Sequence, residues 1–230
     1  MTVDLAAVLP AGMDAGQVAQ MGALLSALET DEHAPTAVRK RDLAAYVHVA
    51  DALSALEIDE LRSSSTIADL GAGAGFPGLA LAVALPDASV RLVESQRRKC
   101  EFLARAIESA GIGNASVVCA RAEEWGEGIG SNAAVTARAL APQPVVLEYA
   151  APLLSPGGTL IDWRGRRDDQ EELASLRAAE ELGMERVEVR RVEPFPGARD
   201  LHLHVFCKRS DTPGRFPRRA GMARKRPLGA

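Results

Sequence analysis

Hydrophobic positions in this chain first repeat at helical spacing and then break into alternating blocks. Val18 to Glu29 is rich in Ala and Leu. Arg41 to Glu57 carries Leu43, Tyr46, Val47, Ala50, Leu53 and Leu56, a spacing that lays one apolar stripe along a helix. Ser63 to Thr66 is a polar break. IADL then predicts a strand, and PGLALAVAL a helix with Pro77 in its first turn and Pro86 at its end. SVRLVE is a second strand. Ser95 is placed to cap a helix running to Ala110, closed by Gly111 and Gly113. SVVCA and AAVTAR follow as strands, PQPVVLEYAAPLL as a helix stopped by Pro-Gly-Gly, TLIDWR as a strand, and Asp168 to Leu182 as a helix ending at Gly183.

The last two runs, ERVEVRRVE and DLHLHVFCKR, are separated only by PFPGAR. That link is too short for a crossover helix, so this pair must be antiparallel. The alternation predicts an α/β fold with a doubly wound, Rossmann-like seven-stranded sheet ending in one reversed strand. The expected segments are a helical cap over residues 1–62, the α/β domain over 63–209 and a tail over 210–230. There are no internal repeats.

Composition narrows the setting. At 230 residues and 47% hydrophobic, the chain suits one domain with short extensions. No run approaches the roughly 18 uninterrupted apolar residues of a membrane helix. The N-terminus lacks the basic region of a secretory signal, so a cytoplasmic protein with no membrane partner is expected. Cys100, Cys119 and Cys207 are far apart, with no CxxC pair, so reduced, buried thiols are expected and a metal site is not. The net charge of −4 is uneven. Lys208 to Ala230 holds eight Lys/Arg and one acid, leaving that end +7 and the remainder −11. Such a tail is either drawn to phosphate or simply solvated.

The chemistry concentrates in IADLGAGAGFPGLALAV, Ile67 to Val83. Gly73, Gly75 and Gly78 satisfy GxGxxG, and Glu94 lies where a dinucleotide enzyme would hold a ribose hydroxyl. Asp69 shifts the balance. A carboxylate at the end of the first strand is ill-placed beside a pyrophosphate and well placed near the ammonium of a methionine moiety. The loop then reads as the S-adenosylmethionine version of the turn, with Glu94 accepting from the ribose and the acidic Arg121-Ala122-Glu123-Glu124 turn meeting the adenine edge. His48 is read as a structural helix histidine, with Asp51. His202 and His204 share one strand face and are read as a polar surface near the site.

DLGAGAGFPGLALA, VES, RAEE, TARAL and PGARDLHLHVF resemble, in order, the 16S rRNA guanine-N7 methyltransferases, also called glucose-inhibited division protein B. APTAVR at Ala34 to Arg39, YVHVADAL at Tyr46 to Leu53 and the tail TPGRFPRRAGMARKRPL extend the resemblance along most of the chain. It implies a class I S-adenosylmethionine-dependent methyltransferase with an N-terminal helical cap. Cofactor contacts carry over to Gly71, Phe76, Ala122, Glu123 and Arg138, and with Asp69, Gly73, Gly75, Glu94 and Ser95 these are the expected cofactor-binding residues. The implied partner is 16S rRNA, a 30S subunit or an assembly intermediate, met by a monomer. Arg39, Arg138, Arg164, Arg199, Arg215, Arg218 and Arg219 are the candidates for RNA contact. No catalytic base is expected, because guanine N7 has a free in-plane lone pair. The chain departs from the family at Ala34-Pro35, Val47 and Ala52, and at Trp163-Arg164-Gly165, where the family has Leu-Lys-Gly. The alternatives that remain are a paralogue acting on another RNA or a small molecule, a cofactor-binding ribosome-associated protein without catalysis, and a dehydrogenase.

Overall fold

In the computed structural model, which describes Leu5 and residues 8–229, Asp14 opens the first helix through a capping box. Its carboxylate accepts from Gln17 N–H at 2.8 Å, and the Gln17 side chain accepts from Asp14 N–H at 2.9 Å. Helix α1 (Ala15–Thr30) buries Met21, Leu24, Leu25 and Leu28. The start of the expected cap precedes the described residues. The second expected helix is continuous over residues 41–57 but not uniform. α2 (Arg41–Ala44) passes through a π turn (Ala45–Ala50), α3 (Asp51–Leu53) and a 3₁₀ turn (Ser54–Glu57), and α4 (Asp59–Arg62) follows.

Seven strands form one sheet: β1 (Thr66–Leu70), β2 (Ser89–Val93), β3 (Ala115–Val118), β4 (Asn132–Arg138), β5 (Leu154–Arg164), β6 (Met184–Val192) and β7 (Leu201–Lys208). Their order is β3-β2-β1-β4-β5-β7-β6. β7 alone runs against its neighbours, as the short PFPGAR link requires. Strand order reverses between β1 and β4, so their carboxyl ends frame the crevice where such sheets hold ligands. The linking helices are α5 (Gly78–Ala84), α6 (Arg97–Ala110), α7 (Gln143–Ala150) and α8 (Asp169–Glu181), with α9 (Met222–Lys225) near the C-terminus.

The pleat sends alternate residues to two cores. On one face Ile67, Leu92, Ala134 and Ile161 join α1, the cap helices, α5 and Phe102 of α6. On the other, Ala68, Val93, Val135 and Leu160 join α7, α8, Phe216 and Ala223. Helix α1 and the segment around Phe216 and Ala223 are thus built into the two layers.

Three expectations are corrected. The Pro-Gly-Gly stop lies inside β5, because Asn132 pairs with Leu154 and its side-chain amide donates to Leu153 O at 2.9 Å, drawing the segment into the sheet. Ser95 does not cap α6. Gln96 holds that position without a side-chain cap, and Glu94 accepts the Gln96 N–H at 2.8 Å. Cys100 and Cys119 are not reduced thiols but a disulfide, their Cα atoms 5.8 Å apart where α6 passes the end of β3. Cys207 is free.

The tail is neither solvated nor extended. Phe216 is buried, Thr212 Oγ1 donates to Leu182 O at 3.2 Å, and Arg218 grips the 2%-exposed Glu148 of α7 with two nitrogens, Nε at 2.7 Å. Arg218→Ala strands a buried carboxylate and should cost about 3 kcal/mol of stability, read from urea unfolding. A loss under about 1 kcal/mol would mean that the pair does not anchor the tail.

Candidate functional site

The turn after β1 is held from below. Asp69 is 1% exposed. Its Oδ1 accepts from Thr136 Oγ1 of β4 at 2.9 Å, and its Oδ2 accepts from Gly78 N–H at 3.0 Å. The carboxylate expected to face a ligand's ammonium therefore points into the fold and braces the start of α5. A Cβ on Gly78 would lie 2.7 Å from Asp69 Oδ2 and closer still to Leu92, so only glycine lets helix and strand approach this far. Burial raises the Asp69 pKa to about 6, against the hydrogen bonds from Thr136 and Gly78.

Glu94 braces the turn in the same way from the neighbouring strand, β2. It is 5% exposed, and its two oxygens accept from Gly73 N–H at 3.2 Å and Gln96 N–H at 2.8 Å, with Lys99 Nζ 4.0 Å away. Gly73 has φ +54°, and the nearest atom to a Cβ there is Gly71 O at 3.6 Å, so the space beside the turn is open. Gly75 packs instead against Leu79 and Leu103, inside the fold. Gly71, Ser95, Ala122 and Glu123 come together around a cavity of about 70 Å³, with Val93, Ala120, Arg121, Leu140, Tyr149 and Arg224. Four expected residues meet there. Glu123 is already engaged, accepting Gly221 N–H from the C-terminal segment at 3.0 Å.

Arg138 ends β4 and ties it to the cap. It donates to Val47 O at 3.0 Å and Asp51 Oδ2 at 2.8 Å, and lies 3.2 Å from His48 Nδ1. A guanidinium only donates, so Nδ1 is the acceptor, and Nε2 carries the proton given to Thr36 Oγ1 at 3.0 Å. Burial, with Arg138 beside it, lowers the His48 pKa to about 4, which keeps the ring neutral. Phe76 stacks on that ring at 5.3 Å between centroids. His48 and Asp51 sit together in this hydrogen-bonded network between the cap and β4. Arg138 and Phe76 belong to the same network and do not line the cavity.

Several expected RNA contacts are spoken for. Arg39 donates to Leu28 O and Asp31 O at the end of α1. Arg164 holds Ala141 O and Glu171, Arg215 holds Glu181, and Arg218 holds Glu148. Arg199 and Arg219 are exposed, with no side-chain partner among the described residues.

A family model described as rRNA small subunit methyltransferase G matches residues 24–201. The chain belongs to that family. A relative of the same name from Rubrobacter xylanophilus is 39% identical over 79% of this chain and 72% of its own. One from Thermotoga neapolitana is 35% identical over 89% and 88%. Among solved structures, one titled a predicted O-methyltransferase from Agrobacterium tumefaciens superposes with a TM-score of 0.56 at 26% identity, over 70% of this chain and 81% of its own. An S-adenosylmethionine-dependent O-methyltransferase from Thermotoga maritima gives 0.54 at 17% identity, over 70% and 64%, which speaks for the fold alone. The fold is that of the class I methyltransferases, and no helix among the described residues is long and apolar enough to cross a membrane.

In this family setting the residues fit an adenosyl-type donor. Open space beside Gly73, a carboxylate behind it and a cavity at the ends of β1, β2 and β3 form a cradle. Tyr149, Leu140 and Arg224 were missed by sequence reasoning. They come from α7, the loop after β4 and the C-terminal helix, and no local motif signals their meeting.

A second buried polar group lies across β5 and β7, where Asp162 faces His204. Asp162 accepts from Gln143 Nε2 at 3.0 Å, its Oδ1 has no partner, and neither ring nitrogen of the 3%-exposed His204 has one among the described residues. Burial raises the Asp162 pKa to about 7 and lowers that of His204 to about 4. A raised acid favours folding below the unfolded value of 3.8 and loses that contribution as pH climbs to 7. A lowered histidine favours folding above 6.5 and loses it as pH falls to 4. Across pH 4–6.5 the two slopes oppose. Asp162→Asn removes one of them, so the variant's stability relative to wild type should rise with pH by roughly 1 kcal/mol per unit. Parallel wild-type and variant curves from urea unfolding across that range would show that Asp162 does not titrate there.

Proposed function

We propose that the chain transfers a methyl group from S-adenosylmethionine to N7 of a guanine in 16S ribosomal RNA, acting as a monomer on the RNA or a small-subunit particle in the cytoplasm. One observation carries this reading: in a chain matched by the rRNA methyltransferase family model over residues 24–201, Gly71, Ser95 and the Ala122-Glu123 turn line one cavity, beside a glycine turn braced by Glu94. When bound, the donor supplies an electrophilic methyl on a positively charged sulfur.

What the chain's own residues do is hold and exclude. Gly71 and Gly73 allow close backbone approach, and Glu94 keeps lone pairs for ribose hydroxyls beside those it gives to Gly73 and Gln96. N7 loses no proton on methylation, so no side chain need act as a base. The work is alignment of the reacting atoms at about 3–3.5 Å, after the base has left its stack. Phosphate contacts fall to cations with no acidic partner. Arg199 precedes β7 and Arg166 follows β5, and both are exposed at the end of the sheet that carries the site. Arg219, Lys225 and Arg226 are exposed on the C-terminal segment.

The test is transfer of a labelled methyl from S-adenosylmethionine to 30S particles and to bare 16S rRNA, followed by nuclease digestion and mass spectrometry. A single 7-methylguanosine is expected. Label at another atom, or none despite tight donor binding, would sink the proposal. Glu94→Ala should weaken donor binding at least about tenfold by calorimetry, with the fold retained.

A further inference from the structure

The C-terminal segment lies beyond the residues the family model matches, yet its Arg224 lines the cavity. Two hydrogen bonds hold it there. Gly221 N–H donates to Glu123 Oε1 at 3.0 Å. Arg224 Nη2 donates to Leu140 O at 2.9 Å and lines the cavity beside Tyr149. Leu140 in turn presses on the glycine turn, its Cδ1 only 2.5 Å from where a Cβ on Gly71 would stand. The cavity is about 70 Å³, far below the roughly 300 Å³ at which ligand pockets begin. Between Arg138 and Leu140 sits Ala139 with φ +53°, a left-handed conformation that a residue with a side chain rarely adopts. The loop is therefore bent at a point where a small backbone change would swing Leu140.

We propose that the C-terminal strap and the loop after β4 form a latch over the methyl-donor pocket, with Arg224 its release point, so that the donor enters and leaves only when Arg224 lets go of Leu140. The proposal rests on the donor reading above and adds to it a moving element. It also reassigns the strap. Gly221 is tied to Glu123 and Arg224 lines the cavity, and only the outer cations, Arg219, Lys225 and Arg226, are left for phosphate. The strap is anchored on both sides of Arg224, by Phe216, the Arg218–Glu148 pair and buried Ala223 before it and by Arg218 on Arg226 O after it, so release concerns the Arg224 side chain and the Leu140 loop alone.

Calorimetry first establishes that the wild-type chain binds S-adenosylmethionine. Absence of binding would strike the donor reading itself. Stopped-flow tryptophan fluorescence with S-adenosylhomocysteine then separates the latch from it. In Arg224→Ala, association and dissociation should both quicken, at least about threefold, while affinity for 16S rRNA and its salt dependence stay put. Leu140→Ala, which removes the group over Gly71 without touching the strap's charge, should do the same. Urea unfolding checks that both variants remain folded. Unchanged association in both variants would overturn the latch, as would a fall in RNA affinity with donor rates unaltered.

Discussion

One buried carboxylate sets the geometry of the crevice end of this fold. Asp69 joins β1 to β4 through Thr136 and to α5 through Gly78, and it is shut off from solvent. Burying a carboxylate is costly, which is why its pKa is pushed up to about 6, and two donated hydrogen bonds offset some of that cost. The consequence is a rigid exit from β1. With Gly78 held against the strand, the intervening residues 71–77 must turn tightly, and their backbone faces the crevice. Glu94 repeats the device by accepting the Gly73 N–H from the end of β2. The loop is shaped by acids beneath it as much as by the glycines within it.

Much of the frame was legible because its signals are local. IADL, SVRLVE and AAVTAR are strands over nearly the expected residues, and the length of PFPGAR alone requires the antiparallel partner. Errors fall where a distant partner decides. Pro156-Gly157-Gly158 reads as a stop, but Asn132, more than 20 residues earlier, pulls the segment into a strand. The π turn at Ala45–Ala50 has no composition signature. The glycine turn and the acids beside it could be named from sequence, but not the direction of the carboxylates. An aspartate at a strand end is the same letter whether it meets a ligand or a backbone N–H.

Arginine shows the same limit from the other side. A charge count made the tail a free basic arm, yet Arg209, Arg215 and Arg218 meet Glu185, Glu181 and Glu148, residues 24, 34 and 70 positions away. Arg39 and Arg164 are spent on carbonyls and on Glu171. Subtracting the pairs changes the electrostatic picture from a uniformly basic tail to a few free cations, Arg199, Arg219, Lys225 and Arg226 among them.

The two ends of the chain converge on three consecutive residues. The cap holds Arg138 through Val47, His48 and Asp51, while the strap holds Leu140 through Arg224. Ala139 lies between them in the left-handed region, at a cost of about 1–2 kcal/mol for a residue with a Cβ. Neither hold alone explains that backbone. Arg138 is drawn toward one face of the sheet and Leu140 toward the turn after β1, and Ala139 absorbs the change of direction. In a sheet of this kind the ligand crevice lies at the carboxyl ends of β1 and β4, and this loop leaves β4 at that end. Its conformation is complete only when the first and last segments of the chain have both packed, which makes the site a product of the whole fold.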